Sequence, residues 1–406
     1  MITEPILISG AGLIGLALAQ SLKRLGIPFI VFDRDESVTA RGQGWGITLH
    51  WALQSLLDVV PEELHAEIFN AQVIPGFDQK DTGTFLYLDA SNCQTVVKIP
   101  PSRRLRVRRE QLRRVLLSGL DVKWGHQTEH IEVLEDGSGV EVTCRNGVKL
   151  RGSMLVGAEG SSSHSRRFLR PDACELNQLP VQFCGASVEM STAEISELQA
   201  LDPLLFQGTV PGTNTFFWFS LLGAPEYTGK ADTWVAQVNL SWPTNDTSPL
   251  KTREEKIAAI KAHSQGLAPV LQRAVDKITS QSEALEIRLA DWPCLTWNNR
   301  KGRITLVGDA AHAMTMYRGE AANHGITDVY EISAKLDAVH QGKQDLATAI
   351  DEFEATMRAR AAPAVLLSRQ ACLDAHNWQS LHTPEKPSPL LTKRSNNVST
   401  ATAACS

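Results

Sequence analysis

The apolar positions at the start of the chain change period twice within thirty residues. Ile6-Leu7-Ile8 is a short continuous run suited to a strand buried on both faces. Leu13, Leu16, Ala17, Leu18, Leu22 and Leu25 then recur at helical spacing, and Gly26 fits the helix stop. Phe29-Ile30-Val31-Phe32 is a second apolar run closed by Asp33, so residues 5–33 read as one βαβ unit. Farther on, the pattern predicts a strand at Ile47-Thr48-Leu49 with a helix after it, then a strand, a helix over 110–117 and a β meander. In the meander Ile131-Glu132-Val133 answers Val140-Glu141-Val142 across an Asp136-Gly137 turn. Met154-Leu155-Val156-Gly157 is another buried strand, closing on Ala158-Glu159-Gly160.

Residues 171–295 have a different character. Trp218, Trp234, Trp242 and Trp292 fall here, and alternating strands dominate, most clearly around Phe216 to Phe219 and Trp234 to Leu240. A helical stretch over 253–274 follows. From Arg303-Ile304-Thr305-Leu306-Val307 the first pattern resumes, with helices expected over 322–339 and from 346 to about 380. The tail after Pro384 is rich in Ser, Thr, Asn and Pro and is expected to be disordered.

The length, 406 residues with 43% hydrophobic, allows two domains or one domain with a large insertion. The formal net charge is -5, and the arginines from Arg103 to Arg114 are too few and too mixed with Leu and Val to suggest nucleic acid. Seven cysteines without a C-x-x-C pair or metal-ligand spacing read as reduced thiols of a cytoplasmic protein with no metal. With no apolar run of about 18 residues, no membrane span is expected, and Ile6 to Ile8 reads as strand, not signal peptide. Oligomeric state is not legible.

Candidate chemistry lies at two distant turns. Gly10-Ala11-Gly12-Leu13-Ile14-Gly15 follows the first strand and opens the first helix. Gly10 permits the tight turn, Gly12 the approach of backbone to a pyrophosphate, and Gly15 the packing of helix on strand. The helix N-terminus offers free N–H groups to phosphate, and Asp33 is placed for ribose hydroxyls. Almost 300 residues later Gly308-Asp309 ends an apolar strand, and Gly319 to Asn323 opens a helix whose positive end suits an anionic ring edge. A nicotinamide dehydrogenase needs only the first turn. A chain that returns with an acidic turn is built to hold a long ligand at both ends, and FAD is such a ligand. Between them, Glu159-Gly160 leads into Ser163 and Arg166, and Arg109 opens a helix from which it can reach a cofactor from the side.

Together these motifs resemble the FAD-dependent aromatic hydroxylases, single-component flavoprotein monooxygenases of the para-hydroxybenzoate and salicylate hydroxylase type. The stretches Gly44 to Trp51 and Ala313 to His324 are similar to a fungal branch associated with secondary metabolism. The resemblance spans residues 5 to about 380. It implies an α/β (α+β overall) fold: a Rossmann-like FAD-binding domain interrupted by a mixed β-sheet substrate domain, with C-terminal helices. The corresponding spans are 1–170, 171–300, 301–384 and a disordered 385–406. It implies further that Gly10, Gly12 and Gly15 hold the FAD pyrophosphate, Asp33 the ribose, Gly46 and Arg109 other parts of the cofactor, and Asp309 ribityl or pyrophosphate oxygens. Gly319, Ala322 and Asn323 belong near the flavin ring, and the Glu159 segment serves both FAD and a transient NAD(P)H. The family usually has Asp where Glu159 stands, Pro at Met316 and Gly at Ala321, changes that bear on ring mobility.

The implied reaction inserts one oxygen atom of O₂ into an aromatic or polycyclic small molecule through a C4a-hydroperoxyflavin, with NAD(P)H as co-substrate and hydroxylation favoured over epoxidation. The catalytic acid or base is not legible. His50, Tyr227, Tyr317 and Arg318 are candidates, the last as a receiver of an anionic substrate group, while His312 reads as a structural hydrogen-bonder. The alternative is a redox-neutral FAD-binding cyclase or isomerase.

Overall fold

The computed structural model describes residues 2–40, 44–382 and 387–394. Strands Ile6–Ser9 and Phe29–Phe32 pair in parallel across helix Leu13–Leu25, as the βαβ pattern requires. They are the centre of a five-stranded sheet completed by Val122–Lys123 on one side and by Met154–Gly157 and Ile304–Leu306 on the other. Every pairing in it is parallel, and residues such as Ile6, Leu7, Ile8 and Val156 are fully buried, which explains their unbroken apolar runs. The meander forms an antiparallel three-stranded sheet with Ile131 opposite Val142 and Gly137 at φ +68° in the turn.

A seven-stranded sheet makes the second layer system. Its long strands Val181–Met190, Trp234–Pro243 and Phe216–Gly223 are antiparallel, as their alternation predicts. Two of its strands, Phe85–Asp89 and Gln94–Ile99, come from the first stretch of chain. The expected span 1–170 is therefore corrected: it feeds both sheets. Phe85–Asp89 joins by a parallel pairing with Leu205–Thr209, more than a hundred residues away, which no local periodicity signals.

Two helices replace the single one expected over 253–274. Gly266 takes φ +83° after Arg253–His263, and Pro269 starts Pro269–Asp276. The long helices run Ala321–His340 and Leu346–Ala375, the second ending short of residue 380. The expected disorder of the tail is also corrected where the structure describes it, residues 385–386 and 395–406 lying outside the described residues. Residues 387–394 are docked. Leu390 is fully buried in a cluster with Tyr317, Cys372 and Ala375, and Ser388 donates to the Asp374 carboxylate.

The first helix is pressed closely against the turn before it. A Cβ on Gly15 would stand 1.9 Å from the Gly10 carbonyl oxygen, and one on Gly10 (φ +110°) would stand 2.5 Å from the Ala158 oxygen. Ile14 then keys into two other glycines. Its side chain would be met at 3.1 Å by a Cβ on Gly308 and at 2.7 Å by one on Gly325. The two glycine motifs, nearly 300 residues apart in sequence, are thus in direct contact.

Because the Gly15 clash is with backbone, relaxation must move helix or strand. Gly15→Ala is expected to destabilise the fold by about 2–4 kcal/mol. Denaturant unfolding of the purified variant measures this, and a wild-type midpoint would show that the helix can step aside.

Candidate functional site

One cavity of about 410 Å³ runs between the two sheets, from the Gly10–Gly12 turn to the strands carrying Phe85, Gln207 and Trp218. At its first end the helix Leu13–Leu25 has no capping side chain and no acid in its first turn. A Cβ on Gly12 would meet no atom within 4 Å. An open glycine and uncapped N–H groups make a cradle for phosphate oxygens. Asp33 lines the same end, with one carboxylate oxygen accepting the Ala11 N–H at 2.6 Å and the other the Asp35 N–H at 2.9 Å.

Asp309 lines the middle of the cavity. Its carboxylate makes no hydrogen bond among the described residues, and burial raises its pKa against the pull of His312, Arg109 and Arg166. A half-buried carboxylate that faces the cavity without a protein partner is free to accept from a ligand hydroxyl. Arg109 also lines the cavity, its backbone N–H bonded to the Trp45 carbonyl at 3.2 Å. Gly46 leaves room for the Arg106 guanidinium, whose Nη2 would stand 2.6 Å from a Cβ there. Gly319 at φ +65°, Ala321 and Ala322 line the wall where helix Ala321–His340 begins. These features fit a dinucleotide such as FAD laid from the glycine turn to this helix end.

Other expected residues are held differently. Glu159 is a bracket: one oxygen accepts from Ser9 Oγ at 3.1 Å and from Ser165 Oγ at 2.8 Å, the other from Ser163 Oγ at 2.5 Å. Arg166 joins this segment to the second turn by donating to the carbonyls of Asp309 at 3.3 Å and Ala310 at 3.1 Å. Asn323 is fully buried and clamps strand Gly46–Leu49, accepting the His50 N–H at 2.7 Å and donating to the Thr48 carbonyl at 3.0 Å. His312 bonds Asp328 at 2.6 Å. Asp328 also accepts the Gly308 N–H at 2.7 Å and Arg360 at 2.7 Å, and His312 and Arg360 hold its carboxyl at about 2 despite burial.

The four substrate-side candidates separate. His50 lines the cavity with both ring nitrogens unpartnered among the described residues. Burial, aided by Arg394, Arg104 and Arg106, lowers its pKa to about 3. Tyr317 lines the cavity and bonds Ser241 at 2.8 Å, and Ser241 bonds His376 at 2.9 Å. Arg318 is neutralised by Glu320 at 2.9 and 3.1 Å and reaches Thr392 at 3.0 Å, so it ties the terminal segment down. The Tyr227 candidacy is corrected: it is not on the cavity wall, and its hydroxyl donates to the Asn70 carbonyl at 2.5 Å. Trp218 lines the cavity, whereas Trp234 bonds Thr192 away from it. Sequence reasoning missed Arg106 and Arg394, which face the cavity. The alternation of Arg104, Arg106 and Arg108 with Leu105 and Val107 is a strand pattern that assigns the arginines one face.

Burial also lowers His376 to about 4. In the unfolded chain these histidines take a proton near pH 6.5, while the folded protein refuses it. Stability therefore falls as pH drops from about 6.5 toward 4, by up to about 1.4 kcal/mol per pH unit for each. Thermal melts across this range are expected to show that slope, and His50→Phe to reduce it by one proton's share. An unaltered slope in the variant means His50 titrates normally.

A family model described as FAD binding domain matches residues 3–368. The chain is 40% identical over 346 residues to the FAD-dependent monooxygenase dbaB of Emericella nidulans, covering 83% of this chain and 87% of that protein. It is 30% identical over 380 residues to the FAD-dependent monooxygenase phnB of Penicillium herquei, covering 93% and 92%. The structure of Klebsiella pneumoniae HpxO complexed with FAD and uric acid shares the fold, with a TM-score of 0.73, 20% identity and coverage of 93% of this chain and 90% of that one. Among the described residues no helix is long and apolar enough to cross a membrane.

Proposed function

The chain belongs to the FAD-binding-domain family, as an FAD-dependent monooxygenase, and from that premise we propose that it inserts one oxygen atom of O₂ into a small aromatic or polycyclic metabolite. The observation that carries this reading is the continuity of the cavity. The phosphate cradle at Gly10–Gly12 and the aromatic pocket around Phe85, Phe216 and Trp218 are two ends of one space. When bound, FAD supplies the redox chemistry: it takes electrons from NAD(P)H and activates O₂.

The chain's own residues bind, orient and exclude water. The free N–H groups of helix Leu13–Leu25 would receive the pyrophosphate, Asp33 the ribose, and Asp309 the ribityl hydroxyls. The N-terminus of helix Ala321–His340 would favour negative charge on the ring edge beside Ala322. Phe85, Leu205, Phe216 and Trp218 give the substrate end an apolar wall that keeps water out. Tyr317 is the side chain on that wall best connected for moving a proton, through Ser241 to His376. Hydroxylation is the favoured outcome, a fungal secondary metabolite the favoured substrate and the cytoplasm the favoured location, the last in keeping with the free thiols of Cys144, Cys184 and Cys372.

The purified protein is expected to show flavin absorption, to oxidise NADPH faster when a suitable phenolic compound is added, and to yield a product carrying one ¹⁸O from ¹⁸O₂. Flavin bands with no stimulated oxidation across a broad phenolic panel favour the redox-neutral alternative. Asp309→Ala is expected to weaken FAD binding roughly tenfold to a hundredfold, the worth of a charge-assisted hydrogen bond. Flavin retained at wild-type affinity would remove Asp309 from the cofactor site.

A further inference from the structure

Sulfur on the cavity wall is confined to one short stretch of chain. No cysteine lines the cavity among the described residues, but Met314 and Met316 do, both half-buried. The chain has six methionines. Met1 lies outside the described residues, and Met154, Met190 and Met357 are packed in the core at 0%, 3% and 0% exposure. Among the described residues, the two thioethers that a small oxidant can reach are the two that face the cavity.

The stretch is tied so as to hold them there. Thr315, between them, is extended at φ -70° and ψ 161° and turns its side chain away to the helix Leu346–Ala375. Its Oγ1 donates to the Ser368 carbonyl at 2.8 Å, and Ser368 Oγ donates to the Thr315 carbonyl at 2.7 Å. In extended backbone the neighbours of such a residue point the opposite way, here into the cavity. The Trp292 N–H fixes the Ala313 carbonyl at 2.9 Å, so the stretch is held before Met314 as well. Just past Met316 come Gly319, Ala321 and Ala322, the wall given above to the flavin ring edge. The proline usual in the family at Met316 would present no sulfur.

Met316 is also an apolar contact. It packs against the cluster that holds Phe216, Tyr317, Cys372 and the fully buried Leu390. It opens the turn Met316–Arg318, which carries much of what docks the terminal segment. The Tyr317 and Arg318 carbonyls accept from Arg394 at 3.5 and 3.2 Å, and Arg318 reaches Thr392 at 3.0 Å. A sulfoxide is polar where a thioether is apolar, and an S–O group in this cluster opposes its packing.

We propose that Met314 and Met316 are an oxidation site built into the cavity, and that the sulfoxide of Met316 undocks residues 387–394. This rests on the reading of the cavity as a monooxygenase site, which supplies the oxidant. When no substrate accepts oxygen, two electrons from NAD(P)H and two protons convert O₂ to hydrogen peroxide there. A methionine sulfur then donates a lone pair to one peroxide oxygen, the O–O bond breaks and an S–O bond forms. Sulfur is oxidised by two electrons, and the other oxygen leaves with both protons as water. Futile turnover thereby loosens one wall of the substrate end.

The FAD-loaded protein is treated in two ways, with a limiting pulse of hydrogen peroxide and with NADPH under ¹⁸O₂ in the presence of catalase. Peptide mass spectrometry locates the sulfoxides, and hydrogen–deuterium exchange follows residues 387–394. Under the peroxide pulse, Met314 and Met316 are expected to oxidise at least about tenfold faster than Met154, Met190 and Met357. Exchange in 387–394 is expected to rise at least about tenfold with the Met316 sulfoxide. Met316→Leu, close in volume, is expected to keep the segment docked after the same pulse. Under NADPH the same two sulfurs are expected to carry ¹⁸O, while catalase protects the rest of the chain. Oxidation of the core methionines as fast as Met314 and Met316 overturns the site. A segment that stays docked in the oxidised protein, or is released equally in peroxide-treated Met316→Leu, overturns the undocking. Sulfoxides at both positions under peroxide but none under NADPH uphold the site and overturn the oxygen-transfer reading, so the two failures are distinct.

Discussion

The Asp328 carboxylate ties the second half of the cleft together. It receives the Gly308 backbone N–H, the His312 ring and the Arg360 guanidinium, and it is itself fully buried. Gly308 is held at the end of its strand, His312 at the end of the short helix Asp309–His312, and Arg360 on the helix Leu346–Ala375. A buried carboxylate is tolerable only with such full pairing. What the pairing achieves is placement: Asp309 projects into the cavity because the residues on both sides of it are fixed from behind. Ile14, lodged against Gly308 and Gly325, sets this assembly at a definite distance from the first glycine turn.

The cleft therefore divides by rigidity of attachment. Its cofactor end is made by strand ends, helix starts and close glycine contacts, all carried by the parallel sheet and its helices. Its substrate end is made by side chains of the seven-stranded sheet, by strand Leu105–Arg108 and by a segment at the end of the described chain. The apolar walls there are not specific to one molecule. Discrimination rests on a few polar groups aimed inward, which is the usual economy of small-molecule sites.

How much of this was legible in the sequence follows from the range of the interactions. The βαβ unit, the meander and the strand Ile304–Leu306 depend on local periodicity and were readable, as was the position of Gly10, Gly12, Asp33 and Asp309 just past strand ends that open on the cavity. Asp328 was not, because on a buried helix an acid paired to Arg360 looks like any other polar position until the partner helix is placed. Phe85–Asp89 read as part of the first stretch because its pairing partner lies in the other sheet. Composition marked the tail as polar, yet one fully buried leucine and the side-chain bonds Ser388 to Asp374, Arg318 to Thr392 and Arg394 to the Arg318 carbonyl dock residues 387–394. The arginine stretch was judged by net basicity, while its meaning lay in alternation on a strand.

The terminal segment has a consequence for how such a protein changes over time. Strands and core helices can be altered only with compensating changes in their neighbours, since each packs on several others. A short length of chain beyond the last long helix meets few partners and has no element following it among the described residues. Exchanges there leave the glycine turn and the parallel sheet untouched. A wall of the reaction chamber built from such a segment lets the choice of substrate drift quickly while the oxidative machinery stays as it is, so relatives sharing one chemistry can diverge in what they act upon by rewriting a handful of residues at one end.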